Sequence, residues 1–152
     1  MTRELVFSVA MQPIGKGRHR SSVVNGRVHT YPDAATVLAE AEIRNAFRRA
    51  YPRFVTHDGP AQLYVVATFV PPKSWAKWQR AAAIAGAWRH TTKPDADNVG
   101  KLVADALNGR AYSDDAHLCF TCVEELYGDT ARLLVRMRLL DQPTRADFEA
   151  AS

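Results

Sequence analysis

Five aspartates crowd one short stretch of this 152-residue chain. Asp95, Asp97, Asp105, Asp114 and Asp115 fall within residues 95–115, against only Lys101 and Arg110. Asp95 and Asp97 follow Pro94, which disfavours helix for Lys93 and keeps the entry extended. In extended backbone, residues i and i+2 project to one side with their Cα atoms about 6.5 Å apart. Two carboxylates so placed can share one hard cation such as Mg²⁺, which takes oxygen ligands at roughly 2.0–2.1 Å. Lys101 stands four residues past Asp97, about 6 Å further along a helix axis and on the same side. Its ammonium can meet a phosphate held at such a metal. The chemistry this pattern suits is metal-assisted attack on a phosphate ester.

Other readings of these residues are specific enough to test against the sequence. A calcium loop matches at Asp95, Asp97 and Gly100, positions 1, 3 and 6, but fails at Val99 and at Ala106, where position 12 requires Glu. A nucleotide-sugar transferase can also use Asp-x-Asp, yet no nucleotide-binding βαβ unit accompanies it here. Lys101 can pair with Asp97 or Asp105 at i,i+4 spacing, worth only a few tenths of a kcal/mol. Asp114 and Asp115 can serve as turn residues before a strand. Cys119 and Cys122 form a lone Cys-x-x-Cys with no further zinc ligands at suitable spacing, and are expected to be two semi-buried thiols.

The charge is unevenly placed around this acidic knot. The chain carries a net +4, and residues 1–30 hold Arg3, Lys16, Arg18, Arg20 and Arg27 against Glu4 alone. Residues 71–94 hold Lys73, Lys77, Arg80, Arg89 and Lys93 with no acid at all. Acids set between basic stretches are what metal chemistry on a polyanion requires. Composition is that of a globular domain, 47% hydrophobic and 24% charged. No apolar run approaches the roughly 20 residues of a membrane span. The N-terminus carries an acid and leads into a strand pattern, so a cytoplasmic protein without a signal peptide is expected.

The elements that must position these residues follow from periodicity. Leu5 to Ala10 reads as a strand, and Asn25-Gly26 between two β-prone runs reads as a hairpin. Pro32 and Asp33 open a helix to about Ala50, whose basic end (Arg44, Arg48, Arg49) suits the dipole. Ala61 to Val70 is an apolar strand closed by Pro71-Pro72. Ser74 is expected to cap a short helix to about Ala85, with Trp75 and Trp78 packing it onto the sheet. Residues 86–96 read as a loop. Val99, Leu102, Val103, Ala106 and Leu107 then form an apolar helical stripe, capped by Asp97 or Asn98 and ended at Gly109. Strands at His117–Tyr127 and Ala131–Leu140 follow, joined at Gly128-Asp129. The expectation is one α+β domain over residues 1–141, helices laid on a mixed or mostly antiparallel sheet, with a loose or weakly helical tail at 142–152.

Taken in order, Lys93-Pro94-Asp95-Ala96-Asp97-Asn98, Lys101, Asp105-Ala106-Leu107 and Ser113-Asp114-Asp115 resemble the signature of the RusA family of Holliday junction resolvases. Pro13, Lys16 and Arg18 are similar to that family's Pro-x-x-Lys-x-Arg opening, and the element order fits from about residue 5 to 140. The resemblance implies that Asp95, Asp97 and Asp115 bind a catalytic metal, Mg²⁺ or its substitute Mn²⁺. It implies that Lys101 is the essential cation and Asp114 a supporting group. Asp105 is expected as a structural partner of Lys101, and Asn98 as a loop or cap residue. Gly100, inside the first helical turn, departs from helix preference by about 1 kcal/mol and could let DNA approach.

The resemblance further implies a homodimer of bacterial or phage origin that cuts four-way or related branched DNA by paired symmetric nicks. Lys16, Arg18, Arg20, Lys73, Lys77 and Lys93 are the candidate phosphate contacts. Two alternatives stand beside this. One is a non-catalytic module that binds branched DNA. The other is a metal-dependent hydrolase of smaller phosphate esters, which would not need the basic stretches.

Overall fold

Strict alternation of buried and exposed residues builds the sheet. In the computed structural model, which describes residues 2–152, β1 (Arg3–Val9) turns Leu5, Phe7 and Val9 inward. A hairpin of β2 (Arg20–Val24) and β3 (Arg27–Tyr31) follows, then α1 (Ala34–Ala50). The central strand β4 (Ala61–Phe69) buries every second residue from Ala61 to Phe69. Next come α2 (Lys77–Ile84), α3 (Ala96–Leu107) and a 3₁₀ turn at Asp115–His117. Two strands, β5 (Leu118–Tyr127) and β6 (Arg132–Leu139), precede a last helix, α4 (Arg145–Ala151).

The main sheet has the order β1-β6-β4-β5. β6 is antiparallel to both β1 and β4, whereas β5 runs parallel to β4. The turn after β5 therefore passes over the end of β4, and Gly128 donates its N–H to the Phe69 carbonyl at 2.9 Å. A side chain there would strike Thr68 Cγ2 at 2.7 Å, so only glycine lets the chain cross so closely. The result is an α+β domain with a mixed sheet.

α1 and α3 cover one face of that sheet. Ala39, Ile43, Ala46 and Phe47 of α1 meet Val99, Leu102, Val103, Ala106 and Leu107 of α3 over the inward residues of β1, β4 and β6. Full burial of a Val, Leu or Phe side chain contributes about 1.5–3 kcal/mol, so this face fixes where α3 lies. Phe47 anchors a ring cluster with Phe7 at 5.6 Å and Phe54 at 5.2 Å. The opposite face carries Tyr64, with Phe120 at 5.3 Å and the Arg136 guanidinium 4.5 Å above its ring.

Several boundaries differ from the sequence expectation. Asp33 caps α1 by accepting from the Thr36 N–H, and Asn25 and Gly26 adopt φ of 52° and 74°, as a two-residue hairpin turn requires. α2 instead begins at Lys77 with Ala76 at its cap position, so Ser74 does not cap it. Trp75 does pack on the sheet, against Tyr127, but Trp78 stays 67% exposed. α3 starts at Ala96, making Asp95 the cap residue and placing Asp97 in the first turn. Cys119 and Cys122 are both exposed, because β5 is an edge strand. The tail forms α4, opened by a reciprocal capping box between Thr144 and Asp147. Among the described residues, no helix is long and apolar enough to cross a membrane.

Candidate active site

The start of α3 is held from three sides. The Lys16 N–H donates to the Asn98 carbonyl at 3.0 Å, docking the segment after β1 onto the Asp95–Asn98 turn. Gly15 makes this possible, since a Cβ there would lie 3.0 Å from both Pro94 and Asn98 Cβ. The Lys16 ammonium then reaches Glu40 Oε1 on α1 at 2.6 Å and Asp105 Oδ2 on α3 at 2.8 Å. Those two carboxylates outweigh the effect of burial and hold the Lys16 pKa above its ordinary value. Gly17 donates its N–H to Thr36 Oγ1 at 2.9 Å. The Pro13–Arg18 segment is thus a clamp between α1 and α3, a role its motif did not reveal.

On the third side lies β5. A Cβ on Gly100 would stand 2.9 Å from Val123 Cγ2, so Gly100 is where α3 closes on β5. The close approach to Val123 gives buried Gly100 a packing role in the folded domain. Beside that contact is a cleft of about 360 Å³ lined by Ala96, Asp97, Gly100, Lys101, Ala104, Thr121 and Val123.

Within the cleft, Lys101 Nζ lies 3.2 Å from Asp97 Oδ2, the two side chains 61% and 77% exposed. Asp105 turns away to Lys16, so it is not the partner of Lys101. Asp95 accepts from the Asn98 side-chain amide at 3.2 Å, which gives Asn98 the loop-ordering part expected of it. Asp97 adds negative charge to the first turn of α3, where unpaired N–H groups favour anions.

Asp115 comes from the segment after α3. It opens the 3₁₀ turn, and together with Asp105 its charge bears on Tyr112, whose hydroxyl donates to the Ala104 carbonyl. Burial first, then those two charges, pushes the Tyr112 phenol far above its usual value. Asp114 caps the turn through Ala116 N–H at 2.8 Å, which, ahead of its contact with Asp115, lowers its carboxyl below the usual range. Among the described residues, no three His, Cys, Asp or Glu side chains converge into a metal-binding group. Asp97 and Lys101 line the cleft together, Asp95 caps the same helix two residues earlier, and the charge of Asp115 reaches Tyr112, whose hydroxyl bonds Ala104 of the cleft lining. Mg²⁺ commonly takes one or two protein carboxylates and completes its shell with water and substrate phosphate. Asp95 and Asp97, at the cap and first turn of α3, are ligands of the type it takes, although helix beginning at Ala96 replaces the extended backbone expected between them.

Two groups at the site were not legible in the sequence. Glu125 on β5 faces inward with Oε2 3.3 Å from His90 Nδ1, the side chains 11% and 3% exposed, and neither atom makes a hydrogen bond. The His90 ring stacks on Phe69 at 4.0 Å. Burial pushes the His90 imidazole down and the Glu125 carboxyl up, and the Asp95 charge raises Glu125 further. Only the parity of β5, which puts Val123 and Glu125 on one side, could have suggested it.

Of the expected phosphate contacts, Arg18, Lys73, Lys77 and Lys93 are exposed, and Arg20 pairs with Asp33 Oδ1 at 3.1 Å. Lys16 is engaged by its two carboxylates.

Comparison with known proteins agrees with this site. A 33% identical relative, described as "Uncharacterized protein YqaN" of Bacillus subtilis (strain 168), aligns over 134 residues, 87% of this chain and 94% of that protein. The family model described as "Endodeoxyribonuclease RusA" matches residues 10–138, which takes in the clamp, α3, the 3₁₀ turn and most of β6. The chain belongs to the RusA family of endodeoxyribonucleases.

Proposed function

We propose that this protein cuts four-way junctions or related branched DNA by paired nicks, using a metal site at the start of α3. The observation that carries the proposal is the exposed Asp97–Lys101 pair, 3.2 Å apart over the cleft beside β5. An exposed ion pair of this kind contributes little to stability, so both groups are free to exchange for substrate. Asp95 and Asp97 would hold Mg²⁺ or Mn²⁺, which when bound supplies Lewis-acid activation of water and neutralises phosphate charge. Lys101 exchanges Asp97 for a phosphate oxygen and stabilises the negative charge that develops there. The N–H groups of the first α3 turn orient the same phosphate. Asp115 is the carboxylate that the family signature adds to this pair, and substitution decides whether it belongs.

Arg18, Lys73, Lys77 and Lys93 would bind flanking phosphates, with Arg20 shared with Asp33, so affinity should fall steeply with salt. Lys16 serves this site as its clamp. Paired nicks call for two sites related by a two-fold axis, which a homodimer supplies.

The test is cleavage of a labelled four-way junction against matched linear duplex, with Mg²⁺ or EDTA, by wild type, Asp97→Asn and Asp115→Asn. Paired nicks confined to the junction, abolished by EDTA and by Asp97→Asn while binding persists, are expected. Tight junction binding with no cutting by wild type would assign a binding module. Absence of any junction preference would return the reading to smaller phosphate esters.

A further inference from the structure

The stretch with five basic residues and no acid, 71–94, also contains all three tryptophans. They step outward from the sheet. Trp75 meets Tyr127 of β5 edge-on at 5.4 Å, Trp88 meets Trp75 at 5.9 Å, and Trp78 meets Trp88 at 6.0 Å. Trp75, just before α2, and the buried Ala83 on it face β5. The outer two rings are progressively more open, Trp88 39% exposed and Trp78 67%. Two adjoining indoles, one largely and one partly exposed, amid lysines and arginines match the chemistry of one partner class. Single-stranded nucleic acid is bound by aromatic rings that stack its bases and by cations that follow its phosphates.

We propose that Trp78 and Trp88 form a stacking platform for an unpaired DNA base, with Lys73, Lys77 and Arg89 holding the adjoining phosphates. The inference rests on the nuclease reading and adds to it how an opened branch point is recognised. Its placement relative to the cleft supports it. Val123, which packs against Gly100 in the cleft, and Tyr127, which carries Trp75, lie on the same side of β5 four residues apart. At 3.3 Å per residue that is about 13 Å. A DNA strand rising about 3.4 Å per nucleotide covers that span in about four steps, and the outer indoles stand further out, past the Trp75 and Trp88 ring contacts at 5.4 and 5.9 Å. A base splayed onto the indoles would therefore set a phosphate several nucleotides away at Asp97 and Lys101.

The experiment measures binding of a labelled single-stranded oligonucleotide and of matched duplex in EDTA, so that no cleavage intervenes. Wild type, Trp78→Ala, Trp88→Ala and Trp78→Phe are compared, with thermal unfolding as the check on folding. Trp78→Ala should weaken single-strand binding roughly 5- to 150-fold, leave duplex binding unchanged, and be largely rescued by Trp78→Phe. Equal loss on both DNAs, or no loss on either, overturns the platform. Dissociation of a dimer by Trp78→Ala in sedimentation, with single-strand binding per subunit intact, assigns the indoles to a second copy and also overturns it. A wild type that cuts junctions while Trp78→Ala binds single strands normally defeats this inference alone. A wild type that binds no DNA defeats the nuclease reading and this one together.

Discussion

Lys16 Nζ and Asp105 Oδ2 lie 2.8 Å apart and join the segment after β1 to the far half of α3, with Glu40 of α1 completing the bridge. Removing the ammonium leaves two carboxylates facing one another across the α1–α3 junction. A fully buried pair broken this way loses about 3–5 kcal/mol. Partial exposure of Asp105 reduces the effect, so Lys16→Met is expected to lose about 1–3 kcal/mol. The folded-state pKa of Lys16 is raised, so its contribution is complete below the ordinary 10.5 and fades as pH rises through the higher folded value. Urea midpoints of wild type and Lys16→Met should differ at pH 7.5 and converge above that range. Equal midpoints at pH 7.5, with weakened DNA binding, would make Lys16 a phosphate contact instead.

Gly100 faces Val123 Cγ2 at a distance no Cβ tolerates without movement, 2.9 Å. Ala gains about 1 kcal/mol over Gly in helix propensity, while overpacking of a tight contact loses about 1–3 kcal/mol. Val is stiff at χ1, so the second effect wins and Gly100→Ala should be destabilised by about 1 kcal/mol. Val123→Ala in the same chain should return the difference to the helix-favouring side. A stable Gly100→Ala single variant would show that β5 yields there.

How much of this was readable in advance follows from which interactions are local. α1, β4 and α3 were legible because their burial repeats every 3.6 or 2 residues, and the Asp97–Lys101 pair because i,i+4 spacing on a helix brings it together. The sheet order was not, since nothing in the Gly128-Asp129 turn tells that β4 lies between the strands it joins. The pairing of Lys16 with Asp105 and of His90 with Glu125 depends on tertiary packing and left no periodic trace. Asp115 was grouped with Asp95 and Asp97 by family signature alone, since no local periodicity links the 3₁₀ turn to the start of α3. Ser74 lost its expected capping role because helical backbone begins only at Lys77, past the reach of its hydroxyl.

Lys101 separates stability from chemistry. Its pair with Asp97 is exposed on both sides, and such pairs contribute about 0.2–1 kcal/mol at most. Lys101→Ala should therefore unfold within about 0.5 kcal/mol of wild type yet lose about 10²–10³-fold in turnover, as removal of a charge-stabilising group does. Lys101→Arg, whose planar fork replaces a point charge, should recover part of that loss. Single-turnover cleavage at saturating enzyme, beside thermal unfolding, checks both halves. A variant that keeps its turnover would remove Lys101 from the site.

Glu125 and His90 give a pH signature with a definite sign. Burial, then the Asp95 charge, raises the folded pKa of Glu125 above its ordinary 4.5, so the folded state holds that proton more tightly than the unfolded one. Stability from Glu125 is therefore greatest below 4.5 and is lost as pH rises through the folded value. His90 is shifted the opposite way, its folded pKa lying below 6.5, so its contribution is present above 6.5 and lost on acidification. Both shifts favour the neutral partners, an imidazole facing a carboxylic acid, over an ion pair. Glu125→Gln mimics the protonated acid and relieves the charge beside Asp95. It should raise the unfolding temperature at pH 7.5, with the advantage shrinking as pH falls toward 4.5 and wild type takes up the same proton. A Glu125→Gln variant that melts lower than wild type at pH 7.5 would mean that His90 is charged there and that the pair is ionic.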